Sequence, residues 1–252
     1  MTVRTGRAAQ QSAGGGLTLA ALLLFLAAAL NGCRDNGIPH GPEPSPSFRL
    51  RVSLGDRFLY HGSDINRYGY RIDSTAARHT WQVVSTTGQI AGFADVIVIA
   101  DSAVILATST IRRDTLYFRS TPDGSLYRYG FLSSLILQRE NRVIPPSWDL
   151  LIMPGAGPSG SWTVGPTDSP GTRRVYGKIA AGETYFDVTV NGTPGAFPAY
   201  RCDLIGPDLE YHLWMADSPP CLPRLEEYPD SFNGVTKGSV LVLSEVVTAP
   251  NR

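Results

Sequence analysis

The residues of this chain that could do chemistry are few. Of its four histidines, His40 stands among prolines and His61 ends an apolar run in His61-Gly62-Ser63-Asp64, which leaves His79 and His212 in strand-like contexts. His212 shares a strand face with Glu210 and Trp214, a set able to orient an imidazole for acid–base work or zinc binding. Two groups do not make a site, and a satisfied histidine beside a carboxylate is the commoner arrangement. Asp64, Asp73 and Asp101 could be drawn together as a calcium site, but their spacing matches no calcium loop and each reads as a turn position. There is no Gly-x-Ser-x-Gly elbow, no His-Glu-x-x-His and no phosphate loop. The expectation is a protein without catalytic residues, metal or cofactor. The alternative, a diverged hydrolase or metal-dependent enzyme, requires His79 and His212 to converge with carboxylates in one cleft.

The three cysteines, Cys33, Cys202 and Cys221, divide into one and two. Ahead of Cys33, Arg4 and Arg7 form a basic stretch with no acidic residue up to Gly32, and Leu17 to Leu30 is apolar apart from Thr18. That pattern predicts a secretion signal, because the run is shorter than the roughly 20 residues of a membrane-spanning helix and lacks a basic stop-transfer flank. Leu30-Asn31-Gly32-Cys33 resembles the lipobox of bacterial lipoproteins. The resemblance implies that Cys33 carries a diacylglyceryl group and becomes the mature N-terminus. Two acyl chains suffice for stable anchoring to a lipid bilayer. Arg34, where inner-membrane retention uses an aspartate, implies the outer membrane. The segments are then 1–32, a signal peptide; 33–47, a lipidated N-terminus and tether; and 48–252, a single β domain. The tether holds four prolines, which remove donors and fix φ, so it builds neither helix nor central strand.

With Cys33 lipidated, Cys202 and Cys221 are left outside the cytoplasm. Turns at Gly206-Pro207 and Pro219-Pro220 could bring strand ends together, so a Cys202–Cys221 disulfide is expected, against the alternative of two buried free thiols.

These residues must be positioned mainly by strands. Apolar residues make up 42% of the 252, enough for a core, whereas charged residues are 17% and glycine (26) with proline (19) approach a fifth, which favours short strands over long helices. Phe48, Leu50 and Val52, then Phe186, Val188 and Val190, then Leu209, Tyr211, Leu213 and Met215 alternate with other residues at a period of two. Val96 to Ile99 and Val240 to Leu243 are continuous apolar runs, as in strands covered on both sides or lying against a ligand. One hairpin is expected from Leu116–Arg119 to Leu126–Tyr129 through Pro122-Asp123-Gly124. Another runs from Thr184–Val190 through Asn191-Gly192 into Ala196–Leu204, with Pro198 at an edge or bulge. Phe131–Arg139 is the one helix candidate of useful length; Leu225–Tyr228 is too short unless packed. The fold expected is all-β: a curved antiparallel sheet of about ten to thirteen strands, as an open half-barrel or a sandwich, with little helix.

Gly55–Tyr60, Gly160–Trp162, Asn191–Tyr200, Leu213–Ala216 and Ser239–Glu245 together resemble a group of β-rich bacterial envelope lipoproteins related in pattern to LolA/LolB-type carriers and to TapB-like proteins. The likeness implies a curved antiparallel sheet with an apolar concavity and supplies no reaction. Without Arg4 and Arg7, twenty basic groups face twenty-two acidic ones, so the mature charge is near −2 and nucleic acid is a poor partner. The paired arginines Arg112-Arg113 and Arg173-Arg174 receive no role. The functional expectation is a non-catalytic, membrane-anchored protein facing the periplasm or cell surface. It would bind an apolar, amphiphilic or glycan ligand through residues still unknown, or scaffold an envelope partner; a purely structural component is the remaining reading.

Overall fold

Alternation at a period of two dictates strands with one buried face, and the computed structural model contains twelve among the residues it describes: 48–66, 68, 70–134, 143–157, 159–165, 174–207, 209–229 and 238–250. The proposed signal and the whole lipidated N-terminus and tether, with Cys33 and His40, lie outside the described residues. Among the described residues no helix is long and apolar enough to cross a membrane.

The strands are β1 (Arg57–Ile65), β2 (Ala77–Ile90), β3 (Phe93–Ile105), β4 (Thr110–Ser120), β5 (Leu126–Tyr129), β6 (Trp148–Ile152), β7 (Ser161–Thr163), β8 (Tyr176–Val190), β9 (Thr193–Gly206), β10 (Leu209–Asp217), β11 (Pro220–Pro229) and β12 (Gly238–Val247). They form one sheet in the order β6-β5-β4-β3-β2-β1-β12-β11-β10-β9-β8-β7. Two six-strand meanders are thus joined where β1 pairs antiparallel with β12. The two ends of the order also meet: the Leu150 N–H of β6 donates to the Val164 carbonyl just beyond β7 (2.6 Å), and the Trp162 indole N–H donates to the Leu150 carbonyl (3.0 Å). Room for the Trp162 ring is made by Gly177, where a Cβ would lie 2.2 Å from the indole.

Both expected hairpins form. Asn191 and Gly192 take φ of 48° and 81°, the left-handed pair that matches the twist of the flanking strands. Beyond Ile179 strand β8 bulges, and the β8–β9 hairpin continues as an arm whose tip turns back to β12: Glu245 and Val246 pair in parallel with Thr189 and Val190. β10 reaches β9 only from Tyr200 onward, so Pro198 and Pro194 lie along an edge, where a missing N–H blocks pairing with another chain.

One face of the sheet looks inward. Phe58 and Tyr60, Trp81 and Val83, Ile97 and Ile99, Leu116 and Phe118, Cys202 and Leu204, and Leu213 and Met215 are all buried in a single apolar cluster. Two expectations of local structure are corrected. Phe48–Val52 is not a strand; Phe48 and Leu50 are buried without entering the ladder, and the Phe48 carbonyl presses on Gly124, where a Cβ would lie 2.2 Å away. Leu225–Tyr228 belongs to β11, because its partners on β10 and β12 supply ladder bonds that a lone helical turn lacks. Of Phe131–Arg139, residues 131–134 are helical and the remainder lies outside the described residues.

The disulfide is the third correction. Cys202 and Cys221 are both buried free thiols. Cys202 pairs with Leu213 and Cys221 with Ala216, on opposite sides of β10. Two strand spacings of about 4.8 Å, with a stagger along β10, exceed the roughly 4.4–6.8 Å between Cα atoms that a disulfide needs. Burial pushes the Cys221 thiol up to about 12 and raises that of Cys202 further, so both stay protonated.

Candidate functional site

The inner face is apolar over most of its height and turns polar toward one mouth. On β2 the inward series continues from Trp81 to His79, on β3 from Ile99 to Asp101, on β4 from Leu116 to Asp114, and on β11 from Leu225 to Glu227. Asp101, Asp114 and Glu227 line a cleft of about 170 Å³ whose apolar wall includes Trp81, Phe131 and Tyr211. A second cleft of about 440 Å³ shares Ser239 and Leu241 with the first and is lined also by Asp64, His79 and Arg112.

His79 Nδ1 lies 3.2 and 3.1 Å from the two carboxylate oxygens of Asp101, an inter-strand contact between β2 and β3. With that carboxylate ionised, Nδ1 carries the proton of the neutral ring, and Nε2 is left as an acceptor with no partner among the described residues. Gly62 gives the imidazole its place: a Cβ there would stand 3.0 Å from His79 Nε2 and 2.8 Å from Leu241 Cδ2. Asp101 is the register partner of Asp114, so two carboxylates face each other across the β3–β4 ladder. Arg128 reaches over Phe131, with 5.5 Å from the guanidinium carbon to the ring centroid. The indole Nε1 of Trp81 is buried and has no hydrogen-bond partner among the described residues. Burial raises the phenol of Tyr60 well above its usual range, and burial likewise pushes Tyr211 up to about 12, so both rings are neutral walls.

A second polar cluster occupies the outer face of β9–β11. His212 Nδ1 lies 2.6 Å from Asp203 and His212 Nε2 lies 2.9 Å from Glu210, while Arg201 also binds Asp203 at 2.8 Å. Beside them the Arg224 guanidinium bonds Glu226, which accepts a 3.0 Å bond from the Tyr228 hydroxyl. Burial opposes a charge on His212, but the hydrogen bond and charge of Asp203, with the charge of Glu210, outweigh it and raise the imidazole above its ordinary value. Burial equally opposes ionisation of Asp203, and is outweighed by His212 and Arg201, which hold its carboxyl low. The expected grouping of His212 with Glu210 and Trp214 is therefore real, and it is filled: both ring nitrogens are occupied and the Trp214 ring packs edge-on at 6.2 Å.

His79 and His212 lie on opposite faces of the sheet. They do not converge, and the joint acid–base or metal role required by the alternative enzyme reading is removed. Among the described residues no group of three histidine, cysteine or carboxylate side chains is placed to hold a metal ion. Asp64 and Asp101 stand in strands rather than turns and Asp73 opens a short 3₁₀ turn, Asp73–Thr75. The sequence offered no sign that Asp101, Asp114, Arg112, Arg128 and Glu227 share one mouth. The only available hint was parity, since each sits on the same alternation as its strand's apolar residues.

No protein family matches this chain, and no curated protein does. Two solved structures resemble it. One, described as an exported protein with a YmcC-like fold from Bacteroides fragilis NCTC 9343, is 14% identical over 80% of this chain and 99% of that one, with a TM-score of 0.38. The other, described as a lipoprotein from Parabacteroides distasonis ATCC 8503, is 13% identical over 79% of this chain and 97% of that one, with a TM-score of 0.40. At such scores the likeness carries no argument about this chain's fold or function.

Proposed function

We propose that this is a non-catalytic, lipid-anchored protein of the cell envelope whose β domain holds a ligand in its polar mouth. The observation that carries the reading is the cleft itself, walled by Trp81, whose buried indole N–H has no partner among the described residues, beside Asp101, Asp114 and Arg128. A buried donor without a partner is costly; the Trp148 and Trp214 indoles are likewise unpaired among the described residues, but Trp81 is the one that lines this cleft. The anchor rests on the secretion-type N-terminus and on Leu30-Asn31-Gly32-Cys33; Arg34 favours the outer membrane. The His79–Asp101 pair favours a second reading, a general base in a hydrolase, but among the described residues no hydroxyl or thiol is bonded to His79 Nε2 as a nucleophile would be.

Expression of the full chain in a Gram-negative host, followed by membrane fractionation and native mass spectrometry, tests both halves. The wild type is expected in the outer-membrane fraction with the mass of a diacylated Cys33, and Cys33→Ser is expected unprocessed or released. A co-purifying small molecule, reduced in a Trp81→Phe variant, supports the mouth as the site. A Cys33→Ser protein that fractionates and weighs as the wild type does overturns the anchor. A mouth that retains nothing and binds nothing leaves a structural or scaffolding role.

A further inference from the structure

We infer that the mouth takes a neutral, polyhydroxylated chain, a glycan, in preference to an ion or an acyl chain. The inference rests on the ligand-holding reading above and names the chemistry of what is held.

The Trp81 indole can only donate, so whatever completes it presents an acceptor oxygen. Asp101 and Asp114 stand opposite each other and, ionised, can only accept, so the same ligand must present donors. Arg112 and Arg128, which can only donate, line the two connected clefts from β4 and β5. Charges of both signs therefore face one space. A phosphate or carboxylate ligand would meet Asp101, Asp114 and Glu227, and a cation would meet Arg112 and Arg128. An acyl chain would strip water from all of these without replacing its hydrogen bonds. A hydroxyl gives one bond and accepts others, and vicinal hydroxyls on a sugar ring can serve a carboxylate and an N–H donor together.

The shape agrees with the chemistry. The smaller cleft is walled by the rings of Trp81, Phe131 and Tyr211, which suit the apolar C–H face of a pyranose, and Ser134 and Ser239 add hydroxyls at its rim. The larger cleft continues past Ser239 and Leu241 to His79, whose open Nε2 accepts a further hydroxyl. Two adjoining spaces of this kind suit several sugar units in line more than a single small molecule.

The test is binding of the purified protein to an array carrying neutral, uronic-acid-bearing and phosphorylated glycans, with isothermal titration of the best oligosaccharide and, separately, of lysophosphatidylcholine. Neutral oligosaccharides are expected to bind. Trp81→Phe, which keeps an aromatic ring and removes the N–H, should weaken binding about ten-fold, and Asp114→Asn, at an exposed position, should weaken it several-fold without altering the fold. Tyr185→Ser, on the outside of the β8–β9 arm, should leave binding unchanged. Binding confined to phosphorylated glycans or to the lysolipid, and sensitive to Trp81→Phe, overturns the glycan and keeps the ligand site. Binding of neutral glycans that ignores both Trp81→Phe and Asp114→Asn overturns the mouth as their site. No binding by any compound, with no co-purified molecule, overturns both.

Discussion

Two histidine–aspartate pairs sit on opposite faces of the same sheet and are built to different ends. On the outer face His212 has a carboxylate on each ring nitrogen, and Asp203 has a guanidinium besides. On the inner face His79 has one carboxylate and leaves Nε2 toward a cleft. A network in which both imidazole nitrogens and the buried carboxylate are bonded holds strands in place and leaves a ligand no free position on the ring. An unsaturated one gives up part of that stabilisation and keeps a group available. Function is to be sought where hydrogen bonding is incomplete, and charged residues alone do not locate it.

The contrast predicts unequal costs. His212→Ala should lower the stability of the domain by about 3 to 4 kcal/mol, since it strips partners from buried Asp203 and from Glu210. His79→Ala should cost about 1 kcal/mol or less, a difference measurable as urea midpoints; equal losses would erase the distinction. Asp149 sharpens it as a buried carboxylate with no histidine at all. It accepts the Leu132 N–H at 2.9 Å and the Ser147 hydroxyl at 2.9 Å, yet burial still pushes it up to about 6. A carboxyl raised on folding favours the folded state at low pH. This contribution is fully present below about pH 4 and is lost as pH rises through 6, a change of about 3 kcal/mol that Asp149→Asn should abolish in urea titrations at pH 4 and pH 8.

The outer pair should show the reverse dependence at its two ends. The His212 contribution is full below its unfolded value of about 6.5 and is lost as pH rises through its raised folded value. The Asp203 contribution is full above about 3.9 and is lost as pH falls through its lowered folded value. Stability of the wild type relative to His212→Gln should therefore be greatest between those limits and decline on both sides; a flat difference across pH would contradict the pairing. A smaller effect is expected at Gly62→Ala, where the new methyl must displace His79 or Leu241. It should cost about 1 to 2 kcal/mol and should move the His79 imidazole resonances in NMR spectra. The smallest concerns the thiols. Maleimide labelling of unreduced protein should modify both Cys202 and Cys221 after denaturation and neither in the native state.

What the sequence made legible was local. Alternation along Leu213–Met215 or Phe186–Val190, and the Asn191-Gly192 turn, specify strands and a hairpin through neighbours in the chain, and the all-β sheet followed from their repetition. Strand order was not legible, and every error at the site comes from it. Cys202 and Cys221 flank turns and read as neighbours, yet β10 runs between their strands. Asp101, in Ala100-Asp101-Ser102, interrupts an apolar run and reads as a turn. Its reason for standing mid-strand is His79, twenty-two residues earlier on the adjacent strand. His212 was singled out because Glu210 and Trp214 are close in sequence, whereas the partner that fills its other nitrogen, Asp203, lies across the ladder.

The pairing of β1 with β12 bears on how the molecule comes to exist. From Arg57 opposite Val247 to Ile65 opposite Gly238, the earliest strand waits for the latest. As an exported chain emerges across the membrane N-terminus first, β1 can zip to β2 at once but keeps its other flank bare until nearly two hundred further residues have appeared. Closing so long a loop is entropically slow, and mean contact separations of this kind place folding in the millisecond-to-second range. Throughout that interval an unpaired strand edge is open to the wrong partner, which is the condition under which a holding chaperone has most to contribute.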